Sequence, residues 1–218
     1  AAFQAAYGYP LTPPDTPEKL LDAAEFFDNQ GYIGIHLQLT TAEMGAGAYT
    51  IYPPLAYYFG GGIYNDTTGE ILCNSTGSVE ALEYLIELAQ HAQPTYLEDG
   101  TFEAELAVMQ WTNLAMADQW SYMIPMLPDA ESEWNISVRP FPQGPDMLGI
   151  AILNTSPKKD LVWDFVEWTS SFEVIKGTTL VTPKASCRSD VAEDPEVAAE
   201  PWVDVLLDSY GRVHPIAP

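Results

Sequence analysis

The sequence predicts an α/β fold, and three observations carry that prediction. Stretches with apolar residues at helical spacing alternate with short runs rich in β-branched and aromatic residues. The starts of the helical stretches carry capping residues followed by proline or acid. Proline and glycine gather between Pro140 and Pro145, which marks a linker between two lobes. With 218 residues, 47% of them hydrophobic, the chain can build one large domain or two modest lobes with their own cores.

Taken in order, the first well-marked helix begins at Thr16, which can cap, with Pro17 in the first turn and Glu18 complementing the dipole. Leu20, Leu21, Ala24 and Phe27 form its apolar face, and Gly31 stops it. YIGIHLQL, residues 32–39, reads as a buried strand. Residues 43–59 are rich in Gly, Pro and Tyr, and Pro53 and Pro54 allow a helix there only to begin or kink. After Gly60, Gly61 and Gly62, the pairs Ile63–Tyr64 and Ile71–Leu72 flank a turn and suggest a small hairpin. Ser75 or Ser78 opens the next helix, with Val79, Leu82, Leu85, Ile86 and Ala89 at helical spacing and Pro94 beyond its end.

A further helix, FEAELAVMQW, leads into the strand-like NLAMADQW. WNISVRPFPQGP alternates as a strand up to Phe141, LGIAIL reads as a buried strand, and SPKKDLVWDFVEW as a helix capped by Ser156 with the face Leu161, Phe165 and Trp168. The last stretch, DPEVAAEPWVDVLLDSYG, is helical.

Charge narrows the function. A formal charge of −23, from 31 acids against 8 bases, repels nucleic acid and anionic membrane surfaces, which excludes a nucleic-acid role. The acids are scattered and not gathered in a tail, a pattern that suits either a protein kept hydrated in concentrated salt or an ordinarily acidic secreted one. Cys73 and Cys187 permit one disulfide but lack the spacing of a zinc site or redox pair, and two separate buried thiols are the expectation. Asn-x-Ser/Thr triplets begin at Asn65, Asn74, Asn135 and Asn154. No apolar run reaches transmembrane length.

The triple glycine invites a phosphate-loop reading, but Ile63 and Tyr64 follow it and no lysine lies nearby, so a phosphate cradle does not fit. NDTTGE lacks the alternating oxygen ligands of a calcium loop and reads as a turn with Gly69 in the left-handed position. His36 falls in a buried strand, and His91 and His214 lie near element ends without a paired ligand, so the residues call for no metal and no cofactor. The aromatics say more. Sugar rings stack on Trp or Tyr while their hydroxyls need planar acceptors and donors, and Tyr49, Tyr52, Trp111 and Trp120 with Asp118 and Gln119 supply both. A glycan hydrolase acting through Asp118 and a second acid, and a structural surface protein, are the competing classes.

The order of segments resembles the carbohydrate-binding, maltose-binding-protein-like group of extracellular solute-binding proteins of ABC importers. Five stretches carry the likeness: PPDTPEKLLDAAEFF, YPPLAYYFGGGIYNDTTGEILCNSTGSVEALEYLIEL, LAMADQW, SPKKDLVWDFVEWTSSFE and TPKASCRSDVAEDPEVAAEPW. The resemblance implies a two-lobe periplasmic-binding-protein-like fold in which residues 1–141 form the second lobe, 142–190 cross to and return through the first, and 191–218 cross back. It implies that most of the first lobe and the final helices lie outside this chain. Trp120 would be the stacking platform, with Asp118 and Gln119 beside it and Tyr49, Tyr52 and Gly149 as further contacts; Lys184 falls where some relatives place a basic contact. The implied function involves no covalent chemistry: a sugar or oligosaccharide is captured and handed to the transmembrane subunits of an ABC permease. Placement would be periplasmic or extracellular, with membrane attachment only through a lipid anchor outside this chain.

Overall fold

The structure, a computed structural model, describes residues 1–39, 46–65, 67–95, 97, 107, 111–120, 149–182, 188–200 and 202–211, without the side chains of 46–49, 206 and 209–211. Its helices are α1 (Ala2–Tyr7), α2 (Pro17–Asp28), α3 (Ala46–Tyr58), α4 (Thr76–Ala89), α5 (Lys159–Thr169), α6 (Phe172–Val181), α7 (Ser189–Ala192), α8 (Pro195–Ala198) and α9 (Val203–Gly211).

α2 forms as its sequence dictates. The Thr16 side chain accepts the Lys19 N–H, Pro17 opens the helix, and Leu20, Ala23 and Ala24 are buried. The helix ends at Asp28, three residues before Gly31, which takes φ 85° in the following turn. α1 packs beside it through Phe3, whose ring meets Tyr7, Tyr9 and Phe26. The Tyr7 and Tyr9 hydroxyls donate to the carboxylates of Glu25 and Asp22 at 3.0 and 2.8 Å. Burial first, and then the Glu25 carboxylate, pushes the Tyr7 phenol up to about 12.

Within residues 32–39, Ile33, Ile35 and His36 make isolated parallel bridges to neighbours on both sides, the pairing direction of a short buried strand. Ile33 and His36 pair with Leu114 and Ala117, and Ile35 pairs with Ala92. Ile35, His36 and Leu37 are all buried, as in a parallel sheet covered on both faces. The two rungs to the 114–117 segment lie three residues apart, where an unbroken strand steps by two, so the pairing changes phase at Gly34–Ile35. Gly34 sits where a Cβ would run into the Ala24 backbone, which lets α2 lie close against the strand.

α3 and α4 complete this first core, with Leu20, Ala24, Ile35, Leu37, Leu55, Ala81, Leu85 and Leu88 in one cluster. Contrary to the expected break, α3 runs through Pro53 and Pro54. Each proline costs roughly 3 kcal/mol in an isolated helix. Here both are buried alongside Ile51, Leu55 and Ala56, and burial of large apolar side chains, about 1.5 to 3 kcal/mol each, offsets that penalty. The expected hairpin is present: Tyr64 pairs with Ile71, the Asn65 side chain accepts the Thr67 and Thr68 N–H groups, and Gly69 takes φ 72°.

α4 is capped by Ser75, whose hydroxyl accepts the Ser78 N–H. Its buried face is Gly77, Ser78, Ala81, Tyr84, Leu85, Leu88 and Ala89, so of the expected stripe Val79, Leu82 and Ile86 are exposed. The rotation follows from backbone contact. A Cβ on Gly77 would strike the backbone of Phe59 and Gly61, and only small residues can face α3 at that approach. Ser78 closes the junction, its hydroxyl accepting the Gly62 N–H and facing the carbonyls of Gly62 and Leu72.

A second cluster, Val191, Val197, Trp202 and Val203, gathers α6 to α9 with Phe172, Ile175 and Leu180 against it. Lys176 reaches both Asp194 and Glu196, at 2.8 and 2.9 Å. Three expectations in this region are corrected. Gly149 to Leu153, from the expected buried strand LGIAIL, have no strand pairing among the described residues, and Ile150 and Leu153 are exposed, because no described segment offers them a neighbour. Ser156 does not cap α5: the N-cap is Lys158, and the Ser156 hydroxyl accepts the Lys158 N–H one turn earlier. The face Leu161, Phe165 and Trp168 is exposed, and α5 has no buried residue. The expectation of buried thiols is also corrected for Cys73, which is exposed beside the hairpin, its Sγ 3.3 Å from the Ile63 carbonyl oxygen. The strand at WNISVRPFPQGP, Cys187, Lys184, His214 and nearly all of the helix FEAELAVMQW lie outside the described residues, although Ala107 is helical.

Candidate functional site

In open α/β sheets, solutes bind beyond the carboxyl ends of parallel strands, where helices do not cover the edge. That edge here is the end of two neighbouring strands. The Ile33 N–H donates to the Asn113 carbonyl at 2.8 Å, the Ala115 N–H to Ile33 at 2.9 Å, the His36 N–H to Met116 at 2.8 Å and the Asp118 N–H to His36 at 3.2 Å. The ladder therefore carries Asp118, Gln119 and Trp120 to the carboxyl edge, beside Leu37, Gln38 and Leu39 of the central strand. All three of Asp118, Gln119 and Trp120 are half-buried, held by the sheet yet reachable. The Trp120 N–H donates to its neighbour's Gln119 Oε1 at 2.9 Å.

Chemically the arrangement offers an acceptor-only carboxylate, an amide and a broad apolar indole face within three residues. These groups suit a neutral, hydroxylated solute with an apolar ring face. The Asp118 charge is also felt at Tyr84, whose phenol is pushed up well above its ordinary range, first by burial, then by Glu18 and Asp118. Tyr84 stays protonated and donates to the Pro17 carbonyl at 2.6 Å, tying α4 to the start of α2.

The other residues singled out from the sequence stand elsewhere. Tyr52 lies on α3 against the first core, and its hydroxyl donates to the Ser78 carbonyl at 3.2 Å, which fixes α3 on α4. Tyr49 lies in α3, its side chain outside the description. Gly149 is exposed, with open space where a Cβ would point. Trp111 is exposed just before the strand that ends at Trp120. His36 is buried in the sheet, and His91, expected to be unpaired, has its Nδ1 2.9 Å from Asp28 Oδ2. Among the described residues no group of His, Cys, Asp or Glu is arranged to hold a metal ion. A cavity of about 410 Å³ beside α1, lined by Phe3, Gln4, Pro10, Leu11 and Phe26, has a single polar side chain among these and lies away from the strand ends.

Sequence reasoning missed Gln93. It is fully buried, and its side chain acts as a strand partner: Oε1 accepts the Leu37 N–H at 3.0 Å and Nε2 donates to the Leu37 carbonyl at 2.7 Å. With Pro94 next in the chain, backbone pairing ends at Ala92, and the amide continues the ladder for one more rung. Its place directly before proline, after a helix aimed at a strand, was the available signal.

A family model described as bacterial extracellular solute-binding protein matches residues 1–204. The structure is similar to the maltose-bound MalE3 protein of T. maritima, with a TM-score of 0.77 at 19% identity, covering 100% of this chain and 58% of that one. It is similar to an ABC transporter solute-binding protein of Agrobacterium radiobacter K84 in complex with ribitol, with a TM-score of 0.77 at 20% identity over 98% of this chain and 56% of that one. A third such protein, from Thermotoga lettingae and bound with α-D-tagatose, gives 0.73 at 19% identity over 99% of this chain and 57% of the other. The chain thus spans a little over half the length of these proteins and shares the fold of that part.

Proposed function

The chain belongs to the bacterial extracellular solute-binding proteins, and from that membership we propose that it is the carbohydrate- or polyol-binding part of an ABC importer's solute receptor. The observation that carries the reading is the carboxyl edge of the parallel strands, where Asp118, Gln119 and Trp120 stand half-buried together. Trp120 stacks on the ring, Asp118 and Gln119 take its hydroxyls, and Tyr52 holds the α3–α4 pair that backs the strand. Tyr49 and Gly149 are peripheral contacts.

Residues 1–141 form the second lobe of a two-lobe receptor, 142–190 pass through the first, and 191–218 cross back. The exposed apolar residues of the middle segment support that division, because Ile150, Leu153, Leu161, Trp163, Phe165 and Trp168 make a surface that a first lobe would cover. Closure of the lobes on the solute presents it to the transmembrane subunits of the permease, in the periplasm or at the cell surface, with any lipid anchor lying outside this chain.

Calorimetry of the complete receptor with maltose, D-tagatose and ribitol tests the reading. Heat of binding with at least one is expected, and none with any sugar or polyol overturns it. Trp120→Ala should weaken the bound sugar by roughly 2 kcal/mol, as removal of a buried aromatic anchor does; unchanged affinity removes Trp120 from the site.

A further inference from the structure

We propose that Asn74 is a site of N-linked glycosylation, the Asn-x-Ser/Thr acceptor that the fold leaves open to an oligosaccharide. The chain belongs to an extracellular family, so its acceptor triplets face the compartment in which such transfer takes place. The triplets begin at Asn65, Asn74, Asn135 and Asn154. Asn135 lies outside the described residues, and the structure separates the others.

An attached oligosaccharide is bulky and hydrated, so its acceptor side chain must face solvent. Asn74 is exposed, and among the described residues its amide has no hydrogen-bond partner. Thr76, whose hydroxyl completes the triplet, is also exposed, in the first turn of α4. Helix ends hold their first N–H groups without intrahelical partners, so this stretch bends away more easily than a helix interior. The bonds released are those of the Ser75 cap and the first turn, none of them made by Asn74. Room is present as well. Asn74 stands just before the cap, the position from which a side chain lies toward the fourth helical residue, here Val79. Val79, Leu82 and Ile86 form an exposed stripe along α4, and Ile71 of the hairpin is 72% exposed, so a glycan leaving Asn74 meets open surface.

The other two described triplets are engaged. Asn65 is half-buried, and its Oδ1 accepts the Thr67 and Thr68 N–H groups. Its own N–H donates to the Glu70 carbonyl at 2.8 Å and its carbonyl accepts the Gly69 N–H at 2.7 Å, so the hairpin turn is pinned through this residue. Asn154 is exposed, but its Oδ1 accepts from Lys159 Nζ at 2.9 Å. It also follows Leu153, within the apolar surface that a first lobe would cover.

The step is a glycosyl transfer by a membrane-bound oligosaccharyltransferase from a lipid-linked oligosaccharide. The bond between the anomeric carbon and the lipid phosphate oxygen breaks, and the lipid phosphate leaves with the electron pair. Asn74 Nδ2 forms the new C–N bond and gives up one proton. Nothing is oxidised or reduced.

Peptide mass mapping of the receptor isolated from its own organism tests the assignment, with the chain made in a host lacking the transferase as reference. The peptide carrying Asn74 should be heavier than its sequence mass by a whole number of sugar residues, while those carrying Asn65 and Asn154 keep their sequence masses. Asn74→Gln and Thr76→Val should abolish the added mass, and Thr76→Ser should retain part of it, because the hydroxyl and not the methyl group completes the triplet. An Asn74 peptide at its sequence mass in the native receptor overturns the proposal. So does a glycan on Asn65 or Asn154, with or without one on Asn74, since the fold would then not select the acceptor. Added mass that survives Thr76→Val overturns it too. Solute binding plays no part in this readout, so the proposal stands or falls separately from the carbohydrate-binding reading.

Discussion

Single side chains decide whether the carboxyl edge of the parallel strands holds together. Gln93 supplies to Leu37 the donor and acceptor that a further strand residue would have given, deep enough that water cannot replace them. Gln93→Leu keeps the volume and leaves a buried N–H and a buried C=O unpaired, at about 1 to 3 kcal/mol for each group. Urea denaturation should show a loss of roughly 2 to 6 kcal/mol at unchanged m; a loss below that range would mean that the strand end relaxes to water. The residues proposed for the solute edge stand out in the sequence for a different reason. Asp118, Gln119 and Trp120 follow an apolar run in the sequence, and a polar pair plus indole at the end of a buried strand announces itself by composition. Gln93 does not, since its role depends on strand register, which emerges only when residues far apart in the chain align. The glycines divide in the same way: Gly69 was readable as a left-handed turn, whereas Gly34 and Gly77 matter because another backbone lies against them.

Helices were legible where their own capping and spacing settle them and obscure where a neighbour does. α2 and α4 both start on a hydroxyl that accepts an N–H of the first turn, as their sequences state. The same pattern at Ser156 failed, because Pro157 and Lys158 form a separate turn before the helix begins. The two serines therefore respond differently to truncation. Ser75→Ala removes a true cap that also contacts the Ser78 hydroxyl and should cost about 1 kcal/mol. Ser156→Ala touches only an exposed local turn and should change stability by less than about 0.5 kcal/mol. Thermal or urea unfolding of the pair tests the contrast, and equal losses would contradict the assignment of Lys158 as the N-cap. The buried face of α4 was misplaced by the preference for large residues: Val79, Leu82 and Ile86 score as core, but Gly77, Ser78 and Ala81 are what can approach α3. α3 shows the opposite failure, since tertiary burial sustains a helix across two prolines that local propensity would break.

For the molecule as a whole, the imbalance of 31 acids to 8 bases sets the response to salt. Added salt weakens two opposed terms. It screens attraction within ion pairs, but those among the described residues are mostly exposed, Lys19 with Asp15 and Arg188 with Asp190 among them, and such pairs contribute little. It also screens repulsion among the carboxylates in excess of the 8 bases, which the compact state concentrates more than the unfolded chain does. The screening length falls from about 10 Å at 0.1 M to about 3 Å at 1 M salt, so repulsion between surface acids fades over that interval. The second term dominates, and the melting temperature should rise from low salt to about 1 M NaCl. Screening alone saturates there. A rise that continues in molar KCl identifies a surface suited to concentrated salt, whereas a plateau identifies an ordinarily acidic secreted protein. A melting temperature that falls as NaCl is added would mean that the ion pairs, including the contacts of Lys176 with Asp194 and Glu196, outweigh the net charge after all.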